Sequence, residues 1–159
     1  METAVNITSR AITADAPIPL RYAEPGVGGE NISPDLEWSD APAGTRSFMV
    51  TCFDPDAPTG SGWWHWVVTD IPGGVTAIPE GGPLPAGART WPTDYGYAGW
   101  GGPYPPPGPA HHYHVKVTAL DVDRLDVADD ASSAFARLTA SFHILGSTEF
   151  VALFANPAS

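Results

Sequence analysis

Two strand-like segments joined by a short loop, between Cys52 and Ile71, constrain the fold of this chain more than any other stretch. The segments are rich in β-branched and aromatic residues, and the loop contains proline and glycine, so the segments are predicted to be neighbours in one sheet. Because alternate side chains of a strand point to opposite faces, Asp54 should share a face with the apolar residues of the first segment. His65 should likewise share a face with Trp63 and Val67. An acid and an imidazole thus reach strand ends beside aromatic rings that can wall a small cavity.

The length and charge of the chain narrow its class. With 159 residues, 43% of them apolar, it can bury a core, and a single domain over residues 1–159 is predicted. Its 7 basic and 18 acidic residues give a net charge of −11, which disfavours nucleic acids and anionic membranes as partners, since these require a basic surface. The single cysteine, Cys52, excludes an internal disulfide. No stretch resembles a signal peptide or a transmembrane segment, so a cytoplasmic location is expected.

The remaining pattern predicts further strands and one helix. Alternation and β-forming residues indicate strands at 3–12, 36–38, 46–53, 64–71, 111–122 and 149–156. Residues 123–143 are predicted to turn helical, with Asp129 and Asp130 at the start and Gly146 as the stop. The apolar residues that recur there at near-helical spacing are Ala134, Phe135, Leu138 and Phe142.

A loop rich in glycine and proline runs from Pro72 to Pro109 and holds 20 of the chain's 35 glycine and proline residues. Aromatic residues are spread through it, whereas disordered linkers are usually poor in them. We therefore predict an ordered loop packed by its own rings, a kind of loop that is often functional. The backbone can approach a ligand closely at Gly99, Gly101 and Gly102, and exposed N–H groups in such a turn can receive an anion. A purely structural loop is the alternative.

The segment from His111 to Val122 brings three histidines together in sequence but not on one face. Its odd positions are apolar, so His111 and Tyr113 are predicted to point inward, while the even positions, which include His112 and His114, face solvent. A zinc site on these two exposed histidines lacks a third ligand nearby. His111 is well placed for the floor of a pocket, and a core histidine with satisfied hydrogen bonds is the alternative.

Three blocks carry a family resemblance: GENISPDLEWSDAPAGT, DPDAPTGSGWWHWVVTDIP (Asp54–Pro72) and GYAGWGGPYPPPGPAHHY (Gly96–Tyr113). In order and spacing they resemble the signature blocks of the phosphatidylethanolamine-binding protein family, and in particular its bacterial Raf-kinase-inhibitor-like branch. The resemblance implies a mainly β fold, an antiparallel β-sandwich with a short C-terminal helix and long ordered glycine- and proline-rich loops. It also implies a small anion pocket at one end.

The resemblance implies a set of ligand-binding positions. These are Asp54, Asp56, Pro58, Trp64, His65, Gly101, Gly102, Pro103, His111 and Tyr113. It also implies a cis peptide bond before Pro58. Two positions depart from the family pattern: His112 stands where relatives usually have Arg, which removes a positive charge at neutral pH, and Asp70 stands where they commonly have Asn.

The residues and the resemblance together predict a non-catalytic protein that binds a phosphate or phosphoryl-type anion without a cofactor. The ligand would be a phospholipid headgroup, a nucleotide or a phosphorylated partner, and the protein would regulate a kinase or a protease as an inhibitor. Imidazole donors from His65 and His111, with the hydroxyl of Tyr113, would meet the anion, while Asp54 would orient an imidazole or meet an ammonium group beside the phosphate. Trp100 and Tyr104 near the rim could serve a homodimer, and a loop core would explain them equally well.

Two enzyme hypotheses are the alternatives. Asp54, His65 and His111 could form a two-histidine, one-carboxylate metal set for an oxygenase or hydrolase. Ser61 could act as a hydrolase nucleophile, but Gly60-Ser61-Gly62 lacks the strand-to-helix elbow of that motif, because strand-like residues follow it.

Overall fold

The computed structural model describes residues 5–159, which form two antiparallel sheets and one α-helix. The strands in chain order are β1 (Asn6–Thr8), β2 (Leu36–Ser39), β3 (Ser47–Asp54), β4 (Trp63–Pro72), β5 (Ala77–Ile78), β6 (Arg89–Thr90), β7 (His111–Leu120) and β8 (Ile144–Phe154). The helix α1 spans Ser133–Ser141, and two 3-10 turns span Leu20–Tyr22 and Pro25–Val27. Of the strand expected at 3–12, only β1 forms within the described part, and residues 3 and 4 lie outside it.

The two sheets pack face to face. The small sheet has the strand order β1-β2-β5, and the large sheet has the order β6-β4-β3-β7-β8. One apolar cluster fills the space between them, with Leu36, Trp38 and Ile78 from the small sheet and residues such as Val50 and Val117 from the large one. This arrangement is the predicted β-sandwich, because each sheet buries its apolar face against the other.

Strand β3 lies at the centre of the large sheet and follows the predicted alternation. Its residues Phe48, Val50 and Cys52 are fully buried between the sheets, and Asp54 continues the same face at the strand end. Burial raises the pKa of the Cys52 thiol well above its ordinary range, so the side chain stays an uncharged apolar filler.

Strand β4 carries a β-bulge at the point where it nears this strand end. The pairs on either side of the register shift are Cys52 with Trp66 and Phe53 with Trp64. His65 is therefore the extra residue, and such a bulge redirects the side chains that follow it. Trp66 packs between the sheets, whereas Val67 packs on the outer face of the large sheet. The prediction that Val67 shares a face with His65 is wrong, because strict alternation fails across a bulge.

The helix α1 covers the outer face of the large sheet through its small residues. Ala136 and Ala140 are fully buried there, and Thr118 of β7, predicted to face solvent, is buried on this face as well. The larger apolar residues predicted from the spacing are exposed, with Phe135 at 51% and Phe142 at 76%. Alanine residues form this contact because their small side chains let the helix lie close to the sheet.

The bounds of the helix also differ from the prediction. Its N-cap is Ser132, whose side chain accepts a hydrogen bond from the N–H of Phe135, rather than the earlier pair of aspartates. Gly146 lies inside β8 and does not stop the helix, which ends at Ser141. His143 follows the helix and pairs with the carboxylate of Asp121 at 2.9 Å.

The loop from Pro72 to Pro109 is packed by its aromatic rings, as predicted. Trp100 is 7% exposed and donates a hydrogen bond from Nε1 to the carbonyl of Tyr22. A Cβ atom on Gly102 would collide with that same carbonyl oxygen, so the close approach requires glycine. Trp100 is therefore part of the loop core, and the idea that it serves a homodimer at the rim is wrong.

The peptide bond before Pro58 is not cis, contrary to what the resemblance implies. Within residues 5–159, the cis X-Pro bond lies between Gly82 and Pro83. The trans form is the ordinary preference of an X-Pro bond, by roughly 0.5–1 kcal/mol.

A buried ion pair fixes the far end of β4. Asp70 adopts a φ of 60°, in the left-handed region that Asp and Asn tolerate best among residues with a side chain. Its carboxylate accepts a hydrogen bond from Arg89 Nε at 2.6 Å and another from the N–H of Leu125. The two side chains of the pair are only 2% and 12% exposed. Asp70 thus connects β4 to β6 and to the segment before α1.

Replacing Asp70 by Ala is expected to lower the free energy of unfolding by about 3 kcal/mol, because Arg89 would keep a buried charge without its main partner. Asp70→Asn should cost less, since Asn tolerates the same backbone conformation and its amide oxygen can accept from Arg89. Urea denaturation measures both. The control is Asp123→Ala, which removes an exposed ion pair with Arg46 and should leave the midpoint nearly unchanged. Equal midpoints for Asp70→Ala and Asp123→Ala would contradict the stabilising role given to the buried pair of Asp70 and Arg89.

Candidate functional site

A cavity of about 380 Å³ opens where β3 ends and where β4 and β7 begin. Side chains from these strand ends and from three loops line it. The lining residues are Glu24, Asp54, Ala57, Pro58, Thr59, Trp63, His65, Tyr95, Tyr104, Pro105, Pro106, His111 and Tyr113. The strands supply the titratable groups of the floor, and the loops supply mainly aromatic and proline walls.

His111 and Asp54 form a hydrogen-bonded pair in the floor. His111 Nδ1 lies 2.7 Å from Asp54 Oδ2, and Asp54 is only 2% exposed. The other carboxylate oxygen accepts a hydrogen bond from the N–H of Asp56. Because an ionised carboxylate only accepts, the proton of this contact sits on Nδ1 of His111. The acid therefore orients the ring, as expected, and Nε2 is the nitrogen left to face a ligand.

His65 is buried in the opposite wall and held by the glycine-rich loop. Its Nδ1 lies 2.7 Å from the carbonyl oxygen of Gly101, and the N–H of Gly101 donates to the carbonyl of His65. A carbonyl oxygen only accepts, so Nδ1 carries the proton here too. The ring packs edge-on against Tyr95 and Tyr113, with centroids 5.6 Å and 5.1 Å away. Burial lowers the pKa of His65 below its ordinary value, which favours the neutral ring.

Two polar atoms of the lining side chains are buried without a hydrogen-bond partner within residues 5–159. They are the hydroxyl of Tyr113 and Nε1 of Trp63. Burial raises the pKa of Tyr113 well above its ordinary range, so the hydroxyl keeps its proton. Leaving a buried donor unpaired costs about 1–3 kcal/mol, and such atoms in native proteins call for an explanation. Both lie in residues that border the cavity.

The charges around the cavity are acidic. Glu24 and Asp54 both line it, and none of the lysine or arginine side chains of residues 5–159 does. Glu24 accepts a hydrogen bond from the N–H of Gly26 at 2.7 Å, and its own N–H donates to the carbonyl of Pro103, so the loop fixes it at the rim. An anion that enters this cavity must rely on hydrogen bonds at short range rather than on a cationic side chain.

The predicted ligand-binding residues divide into two groups. Those that line the cavity are Asp54, Pro58, His65, His111 and Tyr113. Those that do not line it are Asp56, Trp64, Gly101, Gly102 and Pro103. The loop residues of the second group support the lining side chains from outside the cavity. The carbonyl of Gly101 binds the ring of His65, and the carbonyl of Gly102 accepts a hydrogen bond from the hydroxyl of Tyr95.

Asp56 and Trp64 lie outside the cavity for different reasons. Asp56 turns outward to His112, accepting hydrogen bonds from its Nδ1 and its backbone N–H. The bond from His112 lowers the pKa of Asp56 below its ordinary value. Trp64 lies on the other face of β4, where it packs against Phe53 and beneath the guanidinium of Arg137.

Sequence reasoning missed several lining residues. Trp63 was predicted to share a face with His65 but was not assigned to the site, and alternation alone could have indicated it. Tyr95 was expected only as a packing residue of the long loop, and Tyr104 was expected near the rim, in a homodimer contact or in the loop core. Glu24 lies far from the motifs in sequence, and no local pattern marks it.

The two enzyme hypotheses receive no support from these positions. Within the described residues, no group of three or more His, Cys, Asp or Glu side chains is arranged to hold a metal ion, so Asp54, His65 and His111 do not form such a set. Ser61 is exposed in the turn before β4 and does not line the cavity.

The sequence model of the phosphatidylethanolamine-binding protein family matches residues 8–155. This chain belongs to that family. YbhB of Escherichia coli (strain K12), a UPF0098 protein, is 46% identical over 144 residues, which cover 86% of this chain and 91% of YbhB. The UPF0098 protein YbcL of the same strain is 46% identical over 140 residues, covering 82% of this chain and 76% of YbcL.

The solved structures agree with the sequence comparisons. The crystal structure of E. coli YbcL, a new member of the mammalian PEBP family, matches with a TM-score of 0.90 at 40% identity, covering 95% of this chain and 98% of that one. The resemblance to the phosphatidylethanolamine-binding protein family and its bacterial branch is confirmed, and so is the β-sandwich with its short C-terminal helix. No helix of residues 5–159 is long and apolar enough to cross a membrane. The cytoplasmic location stays a prediction.

The hydrogen bonds of the two histidines predict an unusual protonation pattern that NMR can measure. In the ¹⁵N spectrum at pH 8, both His65 and His111 should carry their proton on Nδ1. On acidification, the midpoint for His65 should lie below the ordinary 6.5, because burial disfavours its charged form. The unfolded chain then binds a proton that the folded chain resists, so His65 should reduce stability as the pH falls below about 6.5. A midpoint at or above 6.5, or a proton on Nε2 of either ring at pH 8, would refute this.

Proposed function

We propose that this protein is a non-catalytic receptor for a phosphate or phosphoryl-type anion, held in the cavity between His65 and His111. The observation that supports this most is that two imidazoles from different strands border one small cavity, each with Nδ1 already engaged. Each ring therefore turns Nε2 toward a ligand. The hydroxyl of Tyr113, unpartnered among the described residues, adds a third group that a phosphoryl oxygen can satisfy.

The acidic groups fit this proposal in a supporting role. Asp54 does not need to touch the anion, since its oxygens are taken by His111 and by the N–H of Asp56. It orients the ring of His111 through the hydrogen bond that it accepts from Nδ1. Glu24 at the rim repels a multiply charged anion and would attract a cationic group carried by the same ligand. Phosphate affinity should consequently depend on the protons available.

We propose a regulatory role for this binding, in which occupancy of the cavity controls contact with a kinase or a protease. The lining is formed by loops around Pro58 and Tyr104 at the protein surface, so a bound group alters the surface that a partner meets. The ligand is then a phospholipid headgroup, a nucleotide or a phosphorylated partner. All three carry the phosphoryl group that the cavity would bind. A pull-down from lysate with wild type and a His65→Ala variant separates pocket-dependent partners from the others.

Inorganic phosphate provides the direct test. In calorimetric titrations its affinity should rise as the pH falls from about 8 to 6, because the complex holds a proton between a phosphate oxygen and an imidazole Nε2, and that proton is more available at the lower pH. His111→Ala should weaken binding about tenfold or more, the loss expected for a charge-assisted hydrogen bond.

The matched control is His114→Ala on the same strand. His114 pairs with Glu149 and does not line the cavity, so its removal should leave phosphate affinity unchanged. Absence of phosphate binding at pH 6, or equal losses in the two variants, would overturn the proposed function. An affinity that is flat between pH 8 and 6 would argue against the histidines as the binding groups.

A further inference from the structure

We infer that the cavity selects a phosphoryl group that still carries a proton, such as a phosphomonoester monoanion, and that the P–OH of this group donates to an imidazole Nε2. This inference rests on the proposed function and deepens it. It follows from which atoms around the cavity donate hydrogen bonds and which accept them. The hydrogen bonds of the two histidines set that pattern.

The decisive contact is between His65 and the backbone of the glycine-rich loop. The carbonyl oxygen of Gly101 has no proton to give, so at 2.7 Å it requires Nδ1–H on His65. A neutral imidazole carries only one ring proton, so Nε2 of His65 presents a lone pair to the cavity. Burial at 2% exposure opposes a second proton on this ring. A fully ionised phosphate would therefore set its oxygen lone pairs against a nitrogen lone pair.

His111 repeats the pattern on the opposite side. Its Nδ1–H donates to the carboxylate of Asp54, so its neutral form also offers only a lone pair at Nε2. Around the two rings, the titratable and charged groups of the neighbouring elements are acidic or phenolic. They are Glu24, Asp54, Asp56, Asp94, Tyr95, Tyr104 and Tyr113. None of these residues brings a resident cation, so binding requires a proton that either arrives on the ligand or is taken up from solution with it.

The proton balance of binding follows directly. A phosphomonoester loses its second proton with a pKa of about 6, so near pH 8 it is a dianion in solution. The complex then holds one proton more than the free protein and the dianion do together, and that proton lies between a phosphoryl oxygen and Nε2. Below about pH 6 the ligand already carries the proton, and binding takes up none.

Methyl phosphate and methyl sulfate test this inference on the full chain. At pH 6 much of the methyl phosphate has the same charge and shape as methyl sulfate, but only the phosphate carries an O–H. Methyl phosphate should bind about ten- to a hundredfold more tightly, since its single P–OH satisfies one of the two acceptor nitrogens, whereas methyl sulfate satisfies neither. At pH 8, calorimetry in buffers of different ionisation enthalpy should show uptake of about one proton per methyl phosphate bound.

Variants identify the nitrogens responsible. His65→Gln and His111→Gln can each turn an amide N–H₂ toward the cavity, so the preference for methyl phosphate should shrink in one or both. His114→Gln, on the outer face, should keep it. Thermal unfolding of each variant confirms that it is folded, and two variants keep the test decisive if the buried His65→Gln fails to fold.

The outcomes distinguish failure of this inference from failure of the proposed function. Equal affinity for methyl phosphate and methyl sulfate, or phosphate binding at pH 8 without proton uptake, would overturn the inference while leaving the anion site in place. Binding of neither compound would overturn the proposed function itself. A strong preference for methyl phosphate that both glutamine variants retain would also overturn the inference, because a group other than the two imidazoles would then accept the hydrogen bond from the P–OH.

Discussion

The extra residue in β4 is the constraint on which the rest of the site depends. Because His65 is the extra residue in the pairing with β3, its backbone carbonyl meets the loop and accepts a hydrogen bond from the N–H of Gly101. The same loop segment returns its own carbonyl to the His65 ring. Next to this junction, Trp100 packs edge-on against Trp66 at 5.3 Å. A single bulge thus anchors a long glycine- and proline-rich loop on a rigid sheet and sets the orientation of one imidazole.

The negative charge of the molecule repels an anionic ligand, whereas hydrogen bonds in the cavity would hold it. A net charge of −11 repels anions at long range, and the cavity itself is bordered by two carboxylates. Recognition of an anion would therefore rest on contacts within a few ångströms, where hydrogen bonds to buried groups are worth more than they are in water. The proposed site would discriminate by the placement of protons, because a single misplaced proton turns an attractive contact into a repulsive one. The absence of Arg and Lys from the lining residues among 5–159 would make that discrimination strong.

Much of the fold could be predicted from the sequence, and the failures have identifiable physical causes. Alternation placed His111 and Tyr113 on the inner face of β7, and the first strand delivered Asp54 as expected. Val67 was assigned to the wrong face because a bulge leaves no mark in a hydrophobic pattern. The helix face was misjudged because spacing favours large apolar residues, while close packing on a sheet selects Ala136 and Ala140. Glu24 could not be found because tertiary folding alone brings it to the rim.

The two departures from the family pattern are explained by where their side chains lie. His112 faces away from the cavity and pairs with Asp56, so this departure changes the outer surface and not the lining of the cavity. Asp70 lies at the other end of β4, where it binds Arg89 and the N–H of Leu125. Neither side chain borders the cavity. Both substitutions therefore act on the stability and outer surface of the scaffold, and the arrangement of His65, His111 and Asp54 that would select a ligand is left unchanged.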